Sequence, residues 1–208
     1  MKDSRLEKLA PLTGVVMVVL MAIGAALLGI YDYLPTADRL KEILSDNATN
    51  VFAGGYIGSI SAFFMIWFTG SVFSALRERE GGTGRLSMVA FGGGVASGVA
   101  LAVGFSAILA SGARAGTESG ITPVEAVTMY DIYGQVLGGV FAIAMAVFIG
   151  ATAVVSLRTL MFPKWFGWVS ALIAFGLLTP FAYAVLALVL VWLLVLSIWL
   201  YRRGTSPA

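Results

Sequence analysis

Residues 165–201 read WFGWVSALIAFGLLTPFAYAVLALVLVWLLVLSIWLY, 37 residues without a single charge. As one helix this stretch would be about 55 Å long at about 1.5 Å per residue, far beyond the ~30 Å hydrocarbon core of a bilayer. Two readings compete. Pro180 either kinks one long tilted helix or closes a turn between two spans, because proline disfavours helix in the residue before it. The choice sets whether the chain crosses a bilayer five or six times.

Charge arbitrates. The other apolar stretches cover residues 9–31, 51–76, 88–111 and 130–157, none with a charge in its middle, and each is about the ~20 residues a crossing needs. With the N-terminus inside, the cytoplasmic segments carry Lys2, Arg5, Lys8, Arg77, Arg79, Arg85, Arg158, Lys164, Arg202 and Arg203, and the other side carries Arg39, Lys41 and Arg114. Ten against three is the asymmetry of the positive-inside rule. Five crossings would put Arg202 and Arg203 outside, so the expectation is six, with spans at 165–179 and 181–201. Trp165, Trp168, Trp199 and Tyr201 then fall at the cytoplasmic interface, where amphipathic rings are favoured.

Composition agrees: of 208 residues, 59% are hydrophobic and 12% charged, with mean hydropathy +0.94. A soluble domain is nearer half apolar and a quarter charged and could not bury this much apolar surface. The sequence therefore predicts one all-α domain over 1–208, a polytopic transmembrane helical bundle of the cell membrane with both termini cytoplasmic. The run at 9–31 follows a short basic start but is longer than a signal-peptide core, so it reads as a retained span. The net charge of +2 is dispersed, which argues against nucleic acid as a partner.

Two short amphipathic helices are expected on the extracytoplasmic side. Thr36 can cap one that presents Leu40, Ile43 and Leu44 on one face. Thr122-Pro123-Val124-Glu125 has capping-box spacing with proline at the first helical position. An 81-residue offset pairs Gly58 with Gly139, Leu76 with Leu157 and Arg77 with Arg158, a weak internal repeat of two helical hairpins.

With no cysteine and no histidine, thiol redox chemistry, the commonest metal ligand and the commonest general base are missing. No metal, no cofactor and no catalytic residue is expected. Gly54 and Gly58, Gly94 and Gly98, and Gly134 and Gly138 have the small-xxx-small spacing that lets helix backbones approach. Asp131 and Gln135, one turn apart, are expected to share that glycine face, and with Tyr56, Tyr130 and Tyr133 they form a candidate ligand pocket near the outer surface. The competing reading is a wet helix end with a structural glutamine below it.

The segments Gly54-Gly55-Tyr56-Ile57-Gly58, Gly84-Arg85-Leu86 leading to Phe91-Gly92-Gly93-Gly94, and Phe162-Pro163-Lys164-Trp165-Phe166-Gly167-Trp168 carry a resemblance. In them the chain resembles a bacterial family of six-span integral membrane proteins described only as a domain of unknown function. The resemblance implies a fold and no activity.

Three functions are compatible with these residues. The first is a structural or accessory membrane subunit, with the lipid bilayer and other membrane proteins or a second copy of itself as partners. The second is a small transporter or channel using the Asp131–Gln135 pocket. The third is a membrane enzyme with a lipid or hydrophobic substrate and Asp131 as acid or base, which the missing histidine and cysteine disfavour. A cysteine placed singly at Ser206 should stay unlabelled by an impermeant thiol reagent added to intact cells. Labelling from outside would overturn the six-span orientation.

Overall fold

The computed structural model describes residues 8–30 and 35–204. Seven helices follow one another, and among the described residues there is no strand: α1 (Thr13–Leu27, entered by a 3-10 turn Ala10–Leu12), α2 (Ala37–Asp46), α3 (Ala48–Glu80), α4 (Arg85–Ala115), α5 (Pro123–Thr159), α6 (Lys164–Leu177) and α7 (Ala182–Gly204). The stretches Ala10–Leu27, Ala48–Glu80, Arg85–Ala115, Pro123–Thr159 and Ala182–Arg203 are long and apolar enough to cross a membrane.

The expected six full spans thus appear as five, with α6 as a shorter apolar helix of 14 residues, about 21 Å in length. Pro163 opens α6, and the chain turns back after Leu177. Thr179 makes that turn, its hydroxyl donating to the Gly176 carbonyl at 2.7 Å and its own carbonyl accepting from the Ala182 N–H at 3.1 Å. Residues 165–201 are therefore a hairpin and not one kinked helix. The indole N–H of Trp192 on α7 donates to the Ser170 hydroxyl on α6 at 2.8 Å inside it.

The first of the two expected amphipathic helices is present as α2. Thr36 accepts from the Arg39 N–H at 3.3 Å, and Leu40, Ile43 and Leu44 are buried. The second differs from expectation. Its capping box forms, with Thr122 and Glu125 exchanging bonds of 2.8 and 3.2 Å, but the helix continues straight into the following span. Pro123–Gln135 passes through a π-turn, Val136–Phe141, into Ala142–Thr159. Apolar sequence with helix formers lies on both sides, and a widened turn absorbs the extra residue that a loop would otherwise hold.

In cross-section the helices form a closed ring. α3 packs between α1 and α4, α5 lies between α4 and α6, and α7 closes the circle against both α6 and α1. The Ser197 hydroxyl fixes that closure by donating to the Pro11 carbonyl at 2.6 Å. Met65, Phe68, Leu101, Met145, Phe148 and Leu193 fill the centre and are fully buried. The helices alternate in direction, so Lys8, Arg77, Arg79, Arg85, Arg158, Lys164, Arg202 and Arg203 gather at one end, hereafter the basic end. Arg39, Lys41 and Arg114 lie at the other with Asp38, Glu42, Asp46, Glu118 and Glu125.

Close approach of backbones makes the ring possible. A β-carbon on Gly24 of α1 would sit 2.9 Å from both the Gly54 carbonyl oxygen and the Gly58 nitrogen of α3. One on Gly93 of α4 would sit 2.7 Å from the Phe148 nitrogen of α5. Of the other paired glycines, Gly94 faces the Thr69 side chain, Gly98 faces Ile66, Gly58 also faces the Phe105 ring, and Gly134 and Gly138 lie under Tyr183. Gly58→Leu, Gly98→Leu and Gly138→Leu should each destabilise by ~1–3 kcal/mol or more through overpacking. Gly92→Leu, where a β-carbon meets nothing within 4 Å, should change stability by no more than ~0.5 kcal/mol. Thermal melts in one detergent check both, and equal melting of all four variants would refute the packing account.

Candidate functional site

At the far end, the residues singled out from sequence do not all converge. Tyr130 and Tyr133 are half-buried with ring centroids 6.4 Å apart, and Tyr133 meets the edge of Phe105 at 5.4 Å. Asp131 and Gln135 are both exposed. Tyr56, on α3, is 56% exposed and, among the described residues, has no ring or hydrogen-bond contact with the other four. The face expected to run from Asp131 and Gln135 into Gly138 and Ala142 is broken by the π-turn. Its extra residue re-phases the helix, so Ala142 is fully buried while Asp131 and Gln135 look outward. The glycines are occupied by Tyr183 of α7, whose hydroxyl donates to the Gly134 carbonyl at 2.5 Å, immediately before the widened turn.

A broad concavity lies elsewhere. At the basic end a groove of about 1090 Å³ opens sideways between the start of α1, the second half of α3 and the end of α7. Phe63, Ile66 and Trp67 wall its deep part, with the Phe63 and Trp67 rings 5.1 Å apart. Gly70, Ser71, Ser74 and Ala75 make its floor along α3, and a β-carbon on Gly70 would meet nothing within 4 Å. The Ser74 hydroxyl is turned back on the helix, donating to the Gly70 carbonyl at 3.1 Å. Met161 and Leu200 close one side, both buried.

Charge is confined to the mouth. Glu78, Arg79 and Arg203 line it, all exposed, and the two guanidinium groups are near enough to repel each other. Arg203 is held by stacking, its guanidinium carbon 3.6 Å from the centre of the Trp199 ring, a cation–π contact. Two cations against one carboxylate leave the mouth net positive. The arrangement can accept an elongated apolar body with a polar, anionic end. Among the described residues no three of His, Cys, Asp or Glu gather as metal ligands.

Sequence reasoning missed this site. In the sequence Arg79 and Arg203 serve only as markers of sidedness. Gly70 and Ser74 do have small-xxx-small spacing, but spacing does not tell which face of a helix is left without a neighbour. Compared with family models, curated proteins and solved structures, the chain matches none of them. The site must be argued from its own geometry. At the far end, Tyr183→Phe should cost ~0.5–1.5 kcal/mol by removing the bond to Gly134, measured by thermal melting, whereas Tyr56→Phe should leave the melt unchanged.

Proposed function

We propose that this chain is a six-span integral protein of the cell membrane with both termini in the cytoplasm, acting as a non-catalytic accessory subunit. The basic asymmetry of the two ends supports the orientation. Support for six crossings comes from α6 running antiparallel to α7, with residues 178–181 forming the turn between them. A helix shorter than the hydrocarbon core is accommodated by local bilayer thinning at modest cost.

The accessory role rests on one observation. The groove at the basic end is walled by apolar and small side chains, and its ionisable groups stand only at the mouth. Such a surface holds a companion by packing and charge and supplies no reacting group. In this reading the tightly packed ring is the scaffold and the groove is the surface it offers to a hydrophobic companion.

Extraction of the full-length protein under native conditions, followed by mass spectrometry of what co-purifies, tests this. A stoichiometric companion is expected, and Gly70→Trp, which fills the floor without touching the ring, should displace it. Absence of any companion, or one indifferent to Gly70→Trp, would remove the accessory reading.

A further inference from the structure

We propose that the groove holds one anionic phospholipid, its acyl chain against Phe63 and Trp67 and its phosphate between Arg79 and Arg203. This rests on the reading of the groove as the functional surface and names its occupant.

Three observations select a lipid over a partner helix. The first is length. From Phe63 to Arg79 the groove follows α3 for about 24 Å. A single leaflet with its headgroup layer is about 20–22 Å deep, half of the ~40–45 Å bilayer. A transmembrane partner needs a seat through both leaflets, and the α7 and α1 walls contribute only Leu200, Arg203, Ala10 and Pro11, all at the basic end. The second is polarity, since the apolar and charged parts are separated along the long axis, as in a lipid. The third is charge complementarity. Arg79 and Arg203 both line the mouth, with Arg203 stacked on Trp199; two like charges there favour an anion between them, and guanidinium groups bind phosphate through two parallel N–H donors. Basic pockets between transmembrane helices on the cytoplasmic side recognise anionic headgroups in this way.

Native mass spectrometry of the full-length protein in detergent, titrated with dioleoylphosphatidylglycerol or dioleoylphosphatidylcholine, tests the assignment. One phosphatidylglycerol per chain is expected, bound about tenfold more tightly than phosphatidylcholine. Arg79→Gln should erase that preference without changing the melting temperature, Arg79→Lys should restore part of it, and high salt should weaken it. Gly70→Trp should remove the bound lipid. Equal retention of the two lipids, or a preference that survives Arg79→Gln, overturns the proposal. A protein companion displaced by Gly70→Trp with no lipid preference also overturns it, while leaving the accessory role standing. No companion of either kind overturns both.

Discussion

At the crossing of α1 and α3, the Gly54 carbonyl and the Gly58 amide occupy the space that a side chain on Gly24 would need. Contact between backbones is the constraint on which the rest of this bundle depends. In an apolar solvent, burying apolar side chains gives little drive for helices to associate, so van der Waals contact must supply it, and contact increases as backbones approach. The same device recurs where α4 meets α5 at Gly93, and where α4 meets α3 at Gly55 and Gly112. Apart from Ser170 with Trp192 and Ser197 with Pro11, buried hydroxyls add little between helices. Thr69, Ser97 and Thr152 all donate to carbonyls one turn back on their own helices, and the buried Ser156 hydroxyl has no hydrogen-bond partner among the described residues. The ring is held by shape.

A closed ring of helices of unequal length cannot be filled equally at both ends. α3 has 33 residues, about 50 Å, whereas α1 has 15, about 22 Å. Their contact runs from Gly24 against Gly54 to Gly14 against Phe68. Past Phe68, α3 continues for three more turns towards the basic end, packed on one side against α4, where Phe73 meets Phe91 at 5.3 Å, and flanked on the groove side by the entry to α1 and the end of α7. The groove is the space left by that mismatch. At the far end the corresponding gap is closed by α2, whose Leu40 and Leu44 pack with Leu28, Val51 and Ile108 into a second apolar cluster. Among the described residues, one end is roofed and the other is open on its side.

Much of this was legible in the sequence because it depends on local rules. Apolar run length gave the long helices, Thr36 and the Thr122–Glu125 pair gave their caps, and Thr179-Pro180 marked the turn. What escaped depends on relations between helices. The 130–157 run gives no sign that its helix starts at Pro123, because a π-turn leaves apolar composition unchanged while it re-phases every later side chain. The same re-phasing parted Asp131 and Gln135 from the buried face expected for them. The shortness of α6 is already contained in the 165–179 bounds, short of the ~20 residues of a full crossing, and the structure ends the helix at Leu177. The groove was the least legible feature, because it is defined by a neighbour's length and not by any motif.

Position of the charges at the groove mouth has its own structural origin, in the α6–α7 hairpin. Phe166 lies 4.9 Å from Phe162, Phe162 lies 4.1 Å from Trp199, and the Arg203 guanidinium caps Trp199 at 3.6 Å. These rings run as a continuous stack from the first turn of α6 to the last turn of α7. Phe162 and Phe166 are buried, so the stack is anchored in the core, and its exposed end is a cation. A flexible arginine on an unsupported helix end would spread its charge over many rotamers, losing side-chain entropy whenever it bound an anion. Stacked on Trp199, Arg203 has already met much of that cost. The hairpin that decides the number of crossings also fixes the one charge in the groove that does not belong to α3.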